Sequence, residues 1–500
     1  MALAGDFKEE FMSILAIDAG TTGVTALIVS DRGEILARGY QEFQQHFPKP
    51  GWVEHEPEQI WQAALAACRL ALEATSDKPT TIGITNQRET AVIWDRKTLE
   101  SPTRAIVWQD RRTADLTEEL QSKNSGGWIR RRTGLNLDPY FTSSKFLWWK
   151  RNLPQIFRDV EAGRYALGTI DSYLVARLSG GQSHVTDASN ASRTQLMDIA
   201  TMQWDTDLCD AFEIPISALP EITPCWGDLA NTNPDHFLGL ELPITGMAGD
   251  QQAALFGQLA FEVGQSKATY GTGAFILTNT GKEIVLSEKG LLATVGWLSP
   301  DGQKTYASEG SVFVAGAAVQ WLRDGLGIIS TSGAVEALAL EVDSSDGVVF
   351  LPALTGLGAP FWEPDIRGSL FGITRGTTKA HIARATLEAI VFQVHAVLEA
   401  MQVDMGKRLQ ELRVDGGAAA NDLMMQMQAD LLGANVVRAK NLESTGFGAA
   451  MMAGLGAGIF ESQDALMNLN PPAQKFSPVS DRKADYKAWL KAVEATKSYT

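Results

Sequence analysis

From Ile14 onward the chain alternates short apolar runs with polar or glycine-rich tips. Ile14–Asp18 and Val24–Ser30 are β-prone runs on either side of Gly-Thr-Thr-Gly, and a third run, Glu34–Ala37, follows the turn "DRG". Strands joined this tightly leave no room for a crossover helix. The opening therefore predicts antiparallel strands, unlike the strand–helix–strand start of a dinucleotide-binding fold. The period then changes. "EHEPEQIWQAALAACRLALEA" repeats apolar residues at helical spacing after a proline, which predicts a helix from about Pro57 to Ala74. "TTIGITNQRET" returns to a strand and ends in a polar tip.

The second half repeats this opening. "SKATYGTGAFILTNT", Ser266–Thr280, again sets Gly-Thr-Gly between two β-prone runs, and "HIARATLEAIVFQVHAVLEAM" reads as a long helix. A third glycine-rich tip, "LRVDGGAAAND" (Leu412–Asp422), follows an apolar run and precedes the helix-like "LMMQMQADLLG". Two halves of one design predict two similar α/β domains facing each other, residues 1–257 and 258–500, with the junction inside Phe256–Gly264. The polar tail after about Asn470 is expected to pack only partly.

Composition narrows the class. At 500 residues, 45% apolar and 20% charged, the chain reads as a globular protein of roughly two to four domains. A formal net charge of −16 argues against nucleic-acid partners and against anionic lipid surfaces, since both need clustered Lys and Arg. Three scattered cysteines, Cys68, Cys209 and Cys225, lack zinc-ligand spacing and read as reduced thiols. The start, "MALAGDFKEEFMSILAID", has no signal-peptide pattern, and no apolar run reaches the roughly 18 residues of a spanning helix. The expectation is a cytoplasmic protein without membrane insertion.

Candidate chemistry sits at the tips. In "AIDAGTTGVTAL", flexible backbone N–H groups and the hydroxyls of Thr21 and Thr22 could face phosphate oxygens while Asp18 holds a metal ion. A plain β-turn is the simpler reading of any one such loop, but three in this order favour phosphate binding. "NQRET" sets Arg88 beside Glu89, one donating to a hydroxyl oxygen and the other accepting a hydroxyl proton, a pair suited to a polyol. The plain alternative is a surface ion pair. Tyr140 in "DPYFTSSK" is either a further polyol contact or a half-buried aromatic. In "AGDQQAALFGQ", Asp250 reads as a helix N-cap, or as a general base for an alcohol attacking phosphorus, or as both.

Long segments carry a family resemblance: "GWVEHEPEQIW", "NQRETAVIWDRKT", "GDQQAALFGQ", "TYGTGAFILTNTG", "GSLFGITRGTTKAHIARATLE" and "VDGGAAANDLMMQMQADLLG". From near residue 14 to about residue 460 the chain resembles the glycerol-phosphorylating members of the FGGY carbohydrate kinase family. The resemblance implies two actin-like ATPase (ribonuclease H-like) domains with a cleft between them. It implies ATP-dependent phosphorylation of glycerol to sn-glycerol 3-phosphate, with Mg²⁺ as cofactor and a homodimer or homotetramer as the assembly. Carried over by motif, glycerol would meet Arg88, Glu89, Tyr140, Asp250 and Gln251, with Asp250 as general base. ATP or ADP phosphates would meet Thr21, Thr22, Gly23 and Thr272, with Thr25 close by. The nucleoside would meet Gly316, Gln320, Gly417 and Asn421, and Asp18 would hold Mg²⁺ through water.

The sequence departs from this family pattern at the first loop. It reads "DAGTTGVT", where these members commonly have Asp-Gln-Gly-Thr-Thr-Ser-Ser-Arg, so Thr25 takes the place of the Arg and Ala19 that of the Gln. Kinase activity is expected to survive with an altered phosphate grip. In "NPDHFLGLELPITG", His236 stands in a setting similar to that of a histidine phosphorylated by a sugar-phosphotransferase carrier protein in some members. The plain reading beside it is a solvated surface histidine.

Overall fold

The computed structural model describes residues 12–123, 125–363 and 365–499. The reading of the N-terminus as free of a secretion signal falls on residues 1–11, outside the described residues.

Ser13–Ala19 (β1), Gly23–Ser30 (β2) and Ile35–Glu42 (β3) form the antiparallel meander that the apolar runs predict. The third strand outruns its apolar stretch, because the pairing with β2 supplies hydrogen bonds whatever the side chains. Helix Pro57–Glu73 (α1) then leads to Pro79–Asn86 (β4), parallel to β1. A long insertion follows, including helix Thr142–Asn152 (α2). Trp226–Asn231 (β5) and Pro243–Gly249 (β6) complete a six-stranded sheet of order β5-β6-β4-β1-β2-β3.

After helix Asp250–Gly257 (α3) the pattern recurs: Ser266–Tyr270 (β7), Ala274–Gly281 (β8), Leu292–Leu298 (β9) and Lys304–Val312 (β10). Helices Gly316–Asp324 (α4) and Lys379–Met405 (α5) precede Glu411–Asp415 (β11), which lies parallel to β7. Then come Asp422–Leu432 (α6), Asn435–Ala439 (β12), Ser444–Gly456 (α7), Pro472–Phe476 (β13) and Lys483–Lys497 (α8). The second sheet has the order β9-β10-β8-β7-β11-β12-β13. Removing the extra edge strands leaves one unit used twice: an antiparallel meander whose first strand pairs parallel with a fourth, and the fourth with a fifth. This is the two-domain, ribonuclease H-like α/β architecture expected from the sequence.

The two units interlock. Helix α7, from the second half, packs on β1, β4 and β6 of the first sheet and against α3. Gly448 of α7 and Gly257 of α3 sit where the two helix backbones touch, and a Cβ on either would overlap the other helix. Phe447, Ala450, Met451 and Met452 share one apolar core with Ile14, Ala16, Leu27, Phe256 and Trp297.

The tail packs in part, as the sequence suggests. β13 pairs with β12, and α8 buries Tyr486, Trp489 and Val493 in the core of the second domain. Those apolar positions fall at helical spacing on one stripe, so this mostly polar segment docks by that stripe and leaves most of the rest exposed. Among the described residues, no helix is long and apolar enough to cross a membrane.

Candidate active site

Three parallel strands end side by side. Ala19, Asn86 and Gly249 are register neighbours, so Gly20, Gln87 and Asp250 leave the first sheet at one edge. This is the carboxyl edge where open α/β sheets bind ligands. In the second sheet Thr269 and Asp415 are likewise paired, so the loops Gly271–Gly273 and Gly416–Gly417 leave together. The two Gly-Thr loops are thus equivalent hairpin turns, and "NQRET" and "VDGG" are equivalent tips after the fourth strand of each unit.

The first of those tips holds a buried charge network. Arg88 donates to Glu309 through Nη1–Oε2 at 2.6 Å and Nη2–Oε1 at 2.9 Å, and its Nε lies 3.0 Å from Asp250 Oδ1. Arg193 donates from Nε to Glu89 Oε1 at 2.6 Å and from Nη2 to Glu309 Oε1 at 3.1 Å. Arg88, Glu89, Arg193 and Glu309 have side chains no more than 2% exposed, against 30% for Asp250. Two cations and two anions alternate, so the ionic groups compensate one another away from water. The surface ion-pair reading of Arg88–Glu89 therefore fails. Glu89 has φ 60°, and Thr90 N donates back to Arg88 O at 2.7 Å, a tight turn of the strained hand that aims the Glu89 side chain away from the strand.

Burial pushes the Glu309 carboxyl up, but the charges of Arg193 and Arg88 overcome it and hold it at about 2. Burial raises Glu89 above the usual carboxylate range, against the pull of Arg88 and Arg193. It also raises the Tyr140 phenol, reinforced by Glu89, which keeps the hydroxyl neutral and able to donate. The Tyr140 ring packs edge-on against Trp108, with the Arg193 guanidinium 5.8 Å from its centroid.

Asp250 is the first residue of α3 and Gly249 holds the N-cap position, so the N-cap reading of Asp250 is corrected. Its Oδ1 accepts from Gln251 N at 2.7 Å as well as lying against Arg88. Gln251 is buried, and its Oε1 accepts from the fully buried Lys267 of β7, which also donates to Thr269 Oγ1 at 3.0 Å.

In the first loop Thr22 is exposed, Gly23 starts β2, and Thr21 Oγ1 accepts from Trp108 Nε1 at 3.1 Å. Asp18 and Thr25 are register partners across β1 and β2, both half-buried, and therefore lie on one face beside the loop. Burial, then Asp250 and Glu443, push Asp18 up to about 8. In the second domain Thr272, Gly316, Gln320, Gly417 and Asn421 line one cavity of about 400 Å³. The second loop is tied to the start of α4, since Ala315 N and Ala317 N donate to Thr272 O and Gly316 N to Gly271 O. Asn421 also caps α6 by accepting from Met424 N at 2.8 Å. His236 stands apart, exposed on a surface turn with its ring against Gly180.

Several site residues are absent from the sequence reading. Glu309 and Lys267 are charged residues in the middle of β-prone runs, "TYASEGSV" and "SKATY", a placement that needs a buried partner. Arg193 belongs to the polar yet buried stretch "DASNASRTQ". There Asn190 exchanges amide hydrogen bonds of 3.0 and 3.1 Å with Asn86, and Ser189 Oγ accepts from Gly249 N at 3.0 Å. That stretch thus fastens the strand ends before both Arg88 and Asp250. Trp108 and Phe275 close the space between the domains, with ring centroids 6.1 Å apart.

Two ribonuclease H-like units thus meet at a carboxyl edge, with a buried charge network on one side and a cavity of about 400 Å³ on the other, the layout of a small-molecule phosphotransferase. Residues 13–257 match the N-terminal and residues 266–457 the C-terminal domain of the FGGY family of carbohydrate kinases, and the chain belongs to that family. It is 52% identical over 492 residues to a glycerol kinase of Bdellovibrio bacteriovorus, covering 97% of this chain and 99% of the relative. A glycerol kinase of Dechloromonas aromatica is 51% identical over 495 residues, covering 98% of each chain. Among solved structures, Plasmodium falciparum glycerol kinase with ADP superposes with a TM-score of 0.92 at 37% identity, covering 97% of this chain and 98% of the other.

Proposed function

We propose that the protein transfers the γ-phosphoryl group of ATP to glycerol, giving sn-glycerol 3-phosphate and ADP. The observation that carries this reading is the grouping of Arg88, Glu89, Asp250 and Gln251 at one strand edge, with Tyr140 brought against Arg193 from the loop before α2. Residues 1–257 would supply the polyol site and the first phosphate loop. Residues 258–500 would supply the second loop and the adenosine cavity lined by Gly316, Gln320, Gly417 and Asn421.

Glycerol is a weak nucleophile, so positioning and charge neutralisation carry most of the rate. Arg88 and Glu89 hold two of the three glycerol hydroxyls, one donating and the other accepting, and the neutral Tyr140 phenol donates to the same pair. The terminal hydroxyl left over points at the γ-phosphate. Asp250 uses Oδ1 to hold Arg88 Nε and Gln251 N, which leaves Oδ2 as the oxygen that takes the hydroxyl proton as the new O–P bond forms. The leaving oxygen departs with ADP. Backbone N–H groups and the hydroxyls of Thr21, Thr22 and Thr272 receive the phosphate oxygens.

Asp18 would hold Mg²⁺. Its carboxyl is pushed up by burial and by the like charges of Asp250 and Glu443, an excess of negative charge that a cation relieves. Among the described residues no cluster of three or more His, Cys, Asp and Glu is set to enclose a metal. This suits an ion bound by one carboxylate, waters and phosphate oxygens. When bound, the ion would neutralise charge on the β- and γ-phosphates.

The reading includes work in the cytoplasm, which fits three free cysteines, and a homodimer or homotetramer and regulation at His236 by a phosphotransferase carrier, which rest on the family resemblance. The test is ADP release with glycerol, erythritol, ribulose or xylulose as acceptor. Glycerol-dependent turnover well above the others supports the reading. A preference for a pentulose moves the protein to another branch of the family, and no acceptor-dependent ADP release ends the kinase reading.

A further inference from the structure

The segment "DPYFTSSK" contributes Tyr140 to the site, but its lysine has no part in the mechanism above. Lys145 lies on the first turn of α2, and its side chain is fully buried. Its ammonium donates to three successive backbone carbonyls, Pro139 O at 2.9 Å, Tyr140 O at 2.6 Å and Phe141 O at 3.1 Å. An ammonium has three N–H donors, and all three are spent on the loop that carries Tyr140.

A buried ammonium is an expensive way to fill space. Burial pushes Lys145 down to about 7, against the pull of the Glu89, Asp110 and Asp138 carboxylates, with Arg111 adding repulsion. An apolar side chain of the same length would avoid that cost but leave the carbonyls of Pro139 and Tyr140 without this donor. The same helix turn reaches the other polyol groups. Thr142 Oγ1 donates to Glu89 O at 3.1 Å, holding the strained turn, and Ser143 N donates to Thr194 O at 2.9 Å, next to Arg193. The start of α2 therefore anchors the Tyr140 loop, the Glu89 backbone and the buried turn at Arg193 and Thr194 at once.

We propose that Lys145 is a positioning residue for the acceptor alcohol, gathering the carbonyls of residues 139–141 so that the Tyr140 phenol is fixed beside Arg88 and Glu89. It does not touch the acceptor. Its effect passes through Tyr140, and it does not line the cavity that holds Gly316, Gln320, Gly417 and Asn421. The assignment rests on the glycerol site proposed above.

The test is a double-mutant cycle of Lys145→Met and Tyr140→Phe, read in steady-state turnover. Lys145→Met is expected to raise KM for glycerol by about tenfold, the size of one lost charge-assisted hydrogen bond, while KM for ATP stays within about threefold. In the Tyr140→Phe background the same substitution is expected to add little, because the phenol it positions is already gone. Additive effects, or KM values for glycerol and ATP that move together, would overturn the proposal. So would failure of Lys145→Met to give a folded protein by circular dichroism, which would make the lysine a general element of folding. An unmodified protein that releases no ADP in response to glycerol strikes the glycerol reading itself. Additive effects in an active enzyme strike only the role of Lys145.

Discussion

Arg88 and Glu309 face each other through two parallel hydrogen bonds of 2.6 and 2.9 Å, and they come from opposite halves of the chain. Arg88 leaves the end of β4 in the first sheet, whereas Glu309 lies within β10 of the second. Neither side chain is more than 2% exposed. The guanidinium proposed to bind the polyol is thus held by the domain that carries the proposed nucleotide cavity, which would tie acceptor geometry to domain arrangement. Arg193 completes the tie by bridging Glu309 and Glu89.

Glu309→Gln should therefore cost both stability and acceptor binding. Removing one partner of a buried pair leaves the others uncompensated, typically at about 3–5 kcal/mol. The unfolding midpoint in urea should fall and KM for glycerol should rise. The Glu309 pKa lies below its ordinary value, at about 2 instead of 4.5. Its contribution is therefore complete above about pH 4.5 and lost as pH falls toward 2. The stability gap between wild type and variant should shrink over that acid range. Equal midpoints for the two proteins at neutral pH would contradict the structural weight given to this pair.

Asp250→Asn should abolish phosphoryl transfer while sparing binding. An amide oxygen can still accept from Arg88 Nε and Gln251 N, so the start of α3 keeps its contacts, but it takes no proton. Loss of a general base costs about 10²–10⁴-fold in rate. Calorimetry of glycerol and ATP binding alongside turnover separates the two effects. Near wild-type turnover with an unchanged pH profile would remove Asp250 from the role of base.

Thr25→Arg should tighten nucleotide binding. Thr25 lies opposite Asp18 across the hairpin and beside the first Gly-Thr loop, the proposed phosphate loop. A guanidinium there could reach phosphate oxygens with charge-assisted bonds that a hydroxyl lacks. It could also pair with Asp18 instead. Titration calorimetry with ADP distinguishes these outcomes, and affinity that is unchanged or weaker counts against the phosphate contact.

His236 is exposed on a turn, with its ring against Gly180. If a phosphotransferase carrier protein modifies it, the added charge must act through new contacts with Arg or Lys. Carrier protein plus phosphoenolpyruvate should then activate the wild type and leave His236→Ala unaffected. Equal responses, or no phosphate on His236 by mass spectrometry at neutral pH, dispose of the idea and leave the kinase reading standing.

Much of the fold was readable because local pattern and global structure agree. The Gly-Thr hairpins, α1, α5 and the repeat of one unit in two halves follow from runs whose periodicity and turn residues specify the same elements the tertiary structure uses. The tips were readable too, because glycines, hydroxyls and carboxylates at the ends of apolar runs have few purely structural uses. Gly316, Gln320, Gly417 and Asn421 were named from motif alone, and what brings them to one cavity is the parallel pairing of β7 with β11 together with the hydrogen bonds that tie the start of α4 to the second loop.

By itself, the sequence determined the repeated architecture, the family, and the polar groups at the strand ends. The tertiary structure decided which charges those groups would meet. Glu309 reaches Arg88 across 221 residues of chain, and Arg193 reaches Glu89 across 104, so no local window holds both partners. It also decided that α7 would lie on the first sheet, through backbone contacts at Gly257 and Gly448 that a sequence pattern marks only as two glycines. The reason is physical. Secondary structure and turns answer to neighbours along the chain, whereas pairing a buried charge or seating one helix backbone on another depends on long-range packing of segments that are distant in sequence.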